Sequence, residues 1–86
     1  MSEKEVARVT HYFNRLNVAV LALTNTLSVG DRIHIYGHST DFEQTVDSMQ
    51  IEHKTVLKVG PGDDVALKVV ERVREGDIVY RVTADR

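Results

Sequence analysis

Cysteine and tryptophan are absent from this sequence of 86 residues, proline occurs once, and the aromatic residues are three tyrosines and two phenylalanines. Without cysteine there can be no disulfide framework, no thiolate nucleophile and no thiolate zinc site. The longest apolar run covers residues 18–23, whereas a membrane-spanning helix needs about 20 apolar residues. These absences exclude several classes of enzyme and metal protein, and they predict a protein without a membrane partner.

The start of the chain and its net charge add two further expectations. The residues after Met1 are polar and include two glutamates, so the sequence lacks the basic start and the apolar stretch of a secretory signal, and we expect a cytoplasmic protein. The formal net charge is −2, which gives no general attraction to phosphate backbones, so nucleic-acid binding would need a local basic face. The length corresponds to a single domain, residues 1–86, in which residues 1–4 are expected to be disordered.

A Gly-Asp pair precedes a run rich in β-branched residues at three places: Val29-Gly30-Asp31-Arg32-Ile33, Pro61-Gly62-Asp63-Asp64-Val65 and Glu75-Gly76-Asp77-Ile78-Val79. Glycine adopts positive φ without steric cost and aspartate hydrogen-bonds to its own turn, so each pair predicts a tight turn followed by a strand. Short strands separated by such turns are typical of a small β-barrel.

The hydrophobic pattern predicts strands in residues 6–13, 18–23, 32–36, 65–70 and 79–82. In the first strand we expect Ala7, Val9, His11 and Phe13 to point inward, which would shield His11 from solvent. The second strand is apolar on both faces, as in a central strand. For the fourth of these ranges, residues 65–70, the alternative is a helix over residues 64–74. The four valines in that helix would disfavour it.

Residues 41–54 fit two interpretations. The spacing of Phe42, Val46 and Met49 suits one face of an amphipathic helix. Read with a period of two, Phe42 and Val46 share one face of a strand, and Met49 joins them only if one residue near Ser48 is skipped. A β-bulge produces such a skip and is common where small barrels bend, so we predict a bulged strand.

The order and spacing of these segments resemble those of the second domain of translational GTPases, the elongation-factor β-barrel. The resemblance is carried by Leu27-Ser28-Val29-Gly30-Asp31-Arg32-Ile33-His34-Ile35, by Pro61-Gly62-Asp63-Asp64-Val65, which is similar to an AGDNV turn, and by Arg74-Glu75-Gly76-Asp77-Ile78-Val79, which is similar to an ERGQVL strand. As a whole, the chain is most similar to stand-alone translation elongation factor-like proteins. Phe42-Glu43-Gln44-Thr45-Val46 is also similar to the small C-terminal barrel of U32 peptidase-like proteins.

The resemblance implies an all-β fold, a small closed Greek-key β-barrel of six to seven strands. It does not imply GTP hydrolysis, because the sequence has no Gly-Lys pair and therefore no phosphate-binding loop of that type. In elongation factors this barrel holds the acceptor end of aminoacyl-tRNA in a shallow pocket. The matching positions are substituted here, the family's glutamate by Gln50, its arginine by His53 and its asparagine by Asp64.

No group of residues amounts to a catalytic site, so we predict no catalytic residue, no metal, no cofactor and no enzymatic activity. His34 and His38 have the i, i+4 spacing of metal ligands on a helix, but on a strand that spacing separates them by about 13 Å. Asp63 and Asp64 could supply an acid and a base, yet turn formation explains both residues.

The first functional hypothesis is a translation-related module that contacts structured RNA or a ribonucleoprotein such as the ribosome. Cations neutralise phosphates and aromatic rings stack on bases. The candidate contact residues are Arg8, Tyr12, Arg32, His34, Tyr36, His53 and Lys54. The competing interpretation of this set is an ordinary polar exterior.

The second hypothesis is a protein-interaction module that docks on a larger enzyme such as a U32 peptidase-like protein. Tyr36 and Phe42, on either side of residues 37–41, would anchor that interface, because exposed aromatic residues carry much of the energy of protein contacts. A strand edge left over at the barrel would allow edge pairing, so we expect a monomer or a weak homodimer.

Overall fold

Ten β-strands form the regular structure of residues 2–83, which are the residues that the computed structural model describes. They are β1 (Ser2–Phe13), β2 (Val18–Leu23), β3 (Leu27–Ser28), β4 (Arg32–Gly37), β5 (Thr40–Thr45), β6 (Met49–Ile51), β7 (Lys54–Val56), β8 (Lys58–Val59), β9 (Asp64–Lys68) and β10 (Ile78–Thr83). No helix occurs within residues 2–83, so neither helical alternative of the sequence pattern is realised and the all-β class is confirmed.

Eight of these strands form one sheet in the order β5-β4-β10-β1-β2-β9-β6-β7, and β3 pairs with β8 in a second, two-stranded sheet. All the pairings are antiparallel. The order of the large sheet is open, and across residues 2–83 no ladder joins β5 to β7. The predicted closure into a barrel of six to seven strands is therefore not confirmed.

The core lies on the inner face of the large sheet. Alternating burial along β2 and β4 places Ala19, Leu21, Ile33 and Ile35 inside with no accessible surface. β2 lies between β1 and β9, as its apolar character on both faces predicted. The outward residues of β2 are half-buried, which leaves an apolar strip on the outside of the sheet.

The three predicted Gly-Asp turns are present and share one hydrogen-bond pattern. Their glycines have φ angles of +97°, +90° and +93° in chain order, a region that glycine enters without steric cost. The Oδ2 atom of each aspartate accepts a hydrogen bond from the N–H of the residue three positions earlier, at 2.8 Å for Asp31 and 2.9 Å for Asp63 and Asp77. β4, β9 and β10 begin directly after these turns.

Each turn is also bound to a buried residue on another part of the chain. The glycine N–H donates to the carbonyl of that residue, and the N–H of that residue donates to the carbonyl of the turn's aspartate. The buried residues are Val46 for the first turn, Leu23 for the second and Val9 for the third. The turns therefore fix the starts of three strands against the core, beyond reversing the chain.

The inward register predicted for the first strand is wrong beyond Val9. The pairing of β1 with β2 shifts between Val9 and His11, so one extra residue enters the strand and its side chains change faces. His11 is therefore exposed, Phe13 keeps 49% of its surface, and Tyr12 packs against the core instead. The predicted alternation from Ala7 to Phe13 continues through this point without a break, so the sequence does not reveal the shift.

The change of phase predicted near Ser48 is present, but it takes the form of a break between two strands and not of a bulge within one strand. β5 and β6 are separated by residues 46–48, and Val46 and Met49 are both buried although their spacing is odd. The start of the chain differs from the prediction, because residues 2–4 belong to β1 and pair with Thr83, Val82 and Arg81 of β10. Met1, the remaining residue of the expected disordered start, lies outside the described range.

Gln44 joins two strands that share no ladder. Its side chain is buried, its Nε2 donates to the carbonyl of Lys68 at 2.9 Å, and its Oε1 accepts from the N–H of Val70 at 2.8 Å. The amide group thus acts as a short substitute for main-chain pairing between β5 and the end of β9. A polar residue is stable in this position because both of its functional groups are satisfied.

Candidate binding site

The residues predicted to contact RNA do not form one surface. Arg32, His34 and Tyr36 lie together on the outer side of β4, but β10 separates β4 from β1, which carries Arg8. Tyr12 is half-buried, packs against the core and donates through its hydroxyl to Oδ1 of Asn17 at 3.2 Å. The two strands that carry most of these residues, β1 and β4, are therefore not neighbours in the sheet.

Carboxylates accompany the cations on the outer side of β4. Nε of Arg32 lies 3.3 Å from Oε1 of Glu43. Nδ1 of His34 lies 3.0 Å from both carboxylate oxygens of Glu3, and its Nε2 lies 2.6 Å from Oδ1 of Asp41. A phosphate approaching this surface would therefore meet carboxylates beside each of these two cations.

The carboxylates also determine the protonation of His34. The hydrogen bond with Glu3 is the largest influence and raises the pKa of His34 above its ordinary value of 6.5. Partial burial opposes this increase, and the hydrogen bond with Asp41 adds to it. The ring also lies beside Tyr36 and Tyr80, with centroid distances of 5.8 and 6.2 Å. His34 is thus held at the centre of an ion-pair and aromatic cluster.

His53 and Lys54 lie at the other end of the sheet order, on the hairpin formed by β6 and β7. Ile51 pairs with Lys54, which leaves Glu52 and His53 as the two connecting residues. Their φ angles are +50° and +67°, the left-handed region that a type I′ hairpin turn requires and that asparagine and glycine usually occupy. This turn was missed in the sequence because neither residue is typical of it.

The three positions matched to the elongation-factor pocket do come together. Gln50, His53 and Asp64 line one cavity of about 250 Å³ on the outer side of β2, β9 and the β6–β7 hairpin. The remaining wall residues include Phe13 and Glu52, which sequence reasoning did not single out. Phe13 was missed because of the bulge in β1, and Glu52 was missed because the turn between Ile51 and Lys54 was not predicted.

A larger cavity, of about 460 Å³, lies beside the β4–β5 connection. It is lined by Tyr36, residues 37–42, Glu71 and Arg72. Tyr36 is exposed over 51% of its surface and suits a contact residue, whereas Phe42 is 8% exposed and belongs to the core. The predicted role of Phe42 as a second interface anchor is therefore wrong, because its side chain is not accessible.

Neither cavity has the composition of a metal site. Within residues 2–83, no group of three or more histidine, cysteine, aspartate or glutamate side chains has an arrangement that could hold a metal ion. In the same part of the chain, no helix is long and apolar enough to cross a membrane. The lining residues carry hydroxyls, amides, carboxylates, imidazoles, a guanidinium group and aromatic rings, which are suited to recognition.

The structure defines a small all-β domain with two exposed cavities, and comparison with known proteins agrees with this fold class. The chain has the fold of the C-terminal domain of a U32 peptidase from Geobacillus thermoleovorans, with a TM-score of 0.86 over 91% of both chains and 17% sequence identity. A selenomethionine variant of the same domain gives a TM-score of 0.84 over 88% of this chain and 96% of that one, at 18% identity.

Curated relatives share more of the sequence. The chain is 42% identical over 77 residues to an uncharacterized protease of Methanocaldococcus jannaschii, and 36% identical over 78 residues to a collagenase of Porphyromonas gingivalis. Each match covers 88% of this chain but only 19% and 22% of the respective relative, so the chain spans about a fifth of their length. No family model matches the chain.

These comparisons bear on the two resemblances found in the sequence. The likeness to the C-terminal domain of U32 peptidases is supported by the fold, and the named relatives are proteases. The likeness to the second domain of translation factors is not supported, and neither is the RNA-binding function inferred from it.

Proposed function

We propose that this chain is a non-catalytic accessory domain that docks on a larger protease of the U32 type. The observation that carries the proposal is the 42% identity to a segment covering only 19% of the Methanocaldococcus jannaschii protease. Domains within one chain pack against each other through interfaces that resemble transient protein–protein interfaces. The fold of the isolated Geobacillus domain supports the same assignment.

The docking surface that we propose is the β4–β5 connection around Tyr36. The exposed ring of Tyr36 borders a cavity of about 460 Å³, and Ser39 and Thr40 line the same cavity. Tyrosine offers a large contact area together with a hydroxyl group, and for this reason it is enriched among the residues that dominate interface energy. Glu71 and Arg72 provide charges of both signs at the cavity wall.

The test uses the Methanocaldococcus jannaschii protease truncated to remove the segment matched by this chain. We expect the purified chain to form a 1:1 complex with the truncated protease, measured by light scattering and calorimetry. Tyr36→Ala should weaken the complex at least tenfold, as for a central interface residue. Leu57→Ala is the matched control, because Leu57 is 73% exposed and lies outside the cavity.

Three results would contradict the proposal: no complex, equal loss of affinity in both variants, or proteolytic activity of the chain by itself. Light scattering of the chain alone also decides between a monomer and a weak homodimer formed through a strand edge. Binding of total RNA at low salt in place of the protease would support the RNA hypothesis instead.

We also propose that the large sheet forms a closed barrel. β5 pairs with β4 and β6 pairs with β9, so the continuous segment from β5 to β6 connects strands from the two halves of the sheet order. The break at residues 46–48 supplies the bend, and the Gln44 side chain adds hydrogen bonds between the two halves. Slow amide exchange of Val70, whose N–H donates to the Gln44 side chain across the two halves, would support closure, and fast exchange of Val70 would contradict it.

A further inference from the structure

A continuous groove runs along the outer side of β2, β9 and β6. It consists of three adjoining cavities of about 430, 190 and 250 Å³. The first two share Ser48 and Lys68 as lining residues, and the second and third share Gln50 and Ala66. The groove therefore has an extended shape that follows the strand direction.

The floor of the groove is apolar and made of small side chains. Val18 is opposite Lys68 and Val20 is opposite Ala66 in the pairing of β2 with β9, so the valines and the alanine form one strip on the outer face. Val20 and Ala66 remain only half-buried. At about 3.3 Å per residue, the length of β9 from Asp64 to Lys68 accommodates four to five residues of an extended chain.

The end of the groove near the β6–β7 hairpin is acidic. Glu52 and Asp64 both line the cavity there, and in the described part of the chain neither side chain has a hydrogen-bond or ion-pair partner. The left-handed conformation of Glu52 and His53 determines the position of the Glu52 carboxylate at the hairpin tip. The exposed ring of Phe13 lines the same cavity and offers a face to a cation.

From this arrangement we propose that the groove binds an extended peptide segment of another protein, with a lysine or arginine side chain at the acidic end and small apolar residues along the floor. Two unpartnered carboxylates and an aromatic ring are complementary to a cationic side chain, whereas they would repel a phosphate. The apolar strip buries the neighbouring aliphatic side chains of the peptide. The groove lies on β2, β9 and β6, away from the β4–β5 connection. This inference therefore does not depend on the proposed docking function.

The test uses two synthetic peptides, acetyl-Lys-Val-Ala-Val-amide and the matched acetyl-Glu-Val-Ala-Val-amide, titrated into the full chain and followed by ¹H–¹⁵N NMR. We expect the lysine peptide to shift the amide signals of Val20, Gln50, His53 and Ala66 with millimolar affinity. The glutamate peptide should bind at least tenfold more weakly. Asp64→Asn and Glu52→Gln should each weaken the lysine peptide about fivefold, as for loss of a solvent-exposed ion pair.

Glu5→Gln provides the control, because Glu5 is an exposed glutamate on β1 that does not line the groove. The spectrum of each variant shows directly whether it is folded. Equal affinity for the two peptides, or shifts spread over the surface away from the groove, would overturn the proposal. Shifts at the same residues with a single-stranded RNA oligonucleotide, without shifts from the lysine peptide, would overturn it in favour of a nucleic-acid site.

Discussion

The carboxylate of Asp77 occupies the space beside Gly37 where any other residue would place its Cβ atom. Asp77 is buried, and its Oδ2 holds the third Gly-Asp turn by accepting from the N–H of Arg74 at 2.9 Å. We expect Gly37→Ala to push the carboxylate away and to lower the free energy of unfolding by about 2 kcal/mol, which is typical of overpacking. Urea denaturation measures the change.

Gly60→Ala is the matched control for this substitution. A Cβ atom at Gly60 would meet only the Cγ2 atom of Thr26, at 3.9 Å, so the change should alter stability by no more than about 0.5 kcal/mol. In an Asp77→Ala background, Gly37→Ala should lower the free energy of unfolding much less, because the carboxylate that the new Cβ atom would meet is absent. If the cost of Gly37→Ala is the same in both backgrounds, the contact with Asp77 is not its cause.

The buried amide of Gln44 gives a second prediction. Gln44→Ala leaves the carbonyl of Lys68 and the N–H of Val70 without their side-chain partner, and we expect a loss of about 1–3 kcal/mol. Gln44→Glu tests whether the donor matters, because a carboxylate accepts from Val70 but cannot donate to Lys68 when ionised. Denaturation at pH 8 should therefore show a lower free energy of unfolding for each variant. A Gln44→Ala protein as stable as the native chain would contradict the role of this side chain.

The pairing of His34 predicts a stability that falls as the pH rises. Since the pKa of His34 is raised in the folded state, its protonated form stabilises the fold fully below about pH 6.5, and this contribution is lost as the pH increases through the raised pKa. The side chains of Glu3 and Asp41 are 39% and 68% exposed, which limits the effect to at most about 1 kcal/mol.

Urea denaturation at pH 5.5 and pH 8.5 measures this contribution. His34→Gln should flatten the difference between the two pH values, and Glu3→Gln should reduce it, since it removes the largest cause of the raised pKa. His38→Gln serves as the control because His38 is exposed and has no ion pair in the described part of the chain. If stability differs between the two pH values by the same amount in the native chain and in His34→Gln, the pairing of His34 is contradicted.

Much of the fold could be predicted from local signals. A glycine with positive φ followed by an aspartate is a local requirement of a turn, so the turns at Gly30, Gly62 and Gly76 were visible in the sequence. The change of phase near Ser48 was visible because Val46 and Met49 are both apolar although their spacing is odd. Both features depend on neighbouring residues alone.

The features that the sequence did not reveal depend on strand pairing. The bulge after Val9 exposes His11 because the register of β1 against β2 shifts there, and apolar residues on both sides of the shift hide it. The position of β10 between β1 and β4 separates Arg8 from Arg32, which no local pattern indicates. The convergence of Phe13, Glu52 and Asp64 on one cavity follows from the same long-range pairings.

The hairpin tip of β6 and β7 gives the last prediction, because Glu52 and His53 hold a conformation that suits neither residue. Side chains other than glycine and asparagine are strained in the left-handed region, so the double substitution Glu52→Asn and His53→Gly should stabilise the protein by about 1 kcal/mol or more. For a domain of this size, that corresponds to an increase in Tm of roughly 4–8 °C.

The same double substitution removes the carboxylate of Glu52 from the acidic end of the groove. We therefore expect the stabilised variant to bind the lysine peptide about fivefold more weakly, whereas Glu52→Gln should lose affinity without gaining stability. Calorimetric melting and the NMR titration measure the two effects separately. A double variant that is no more stable than the native chain would show that the hairpin tip is not strained, and one that retains full affinity would show that Glu52 does not contribute to the peptide site.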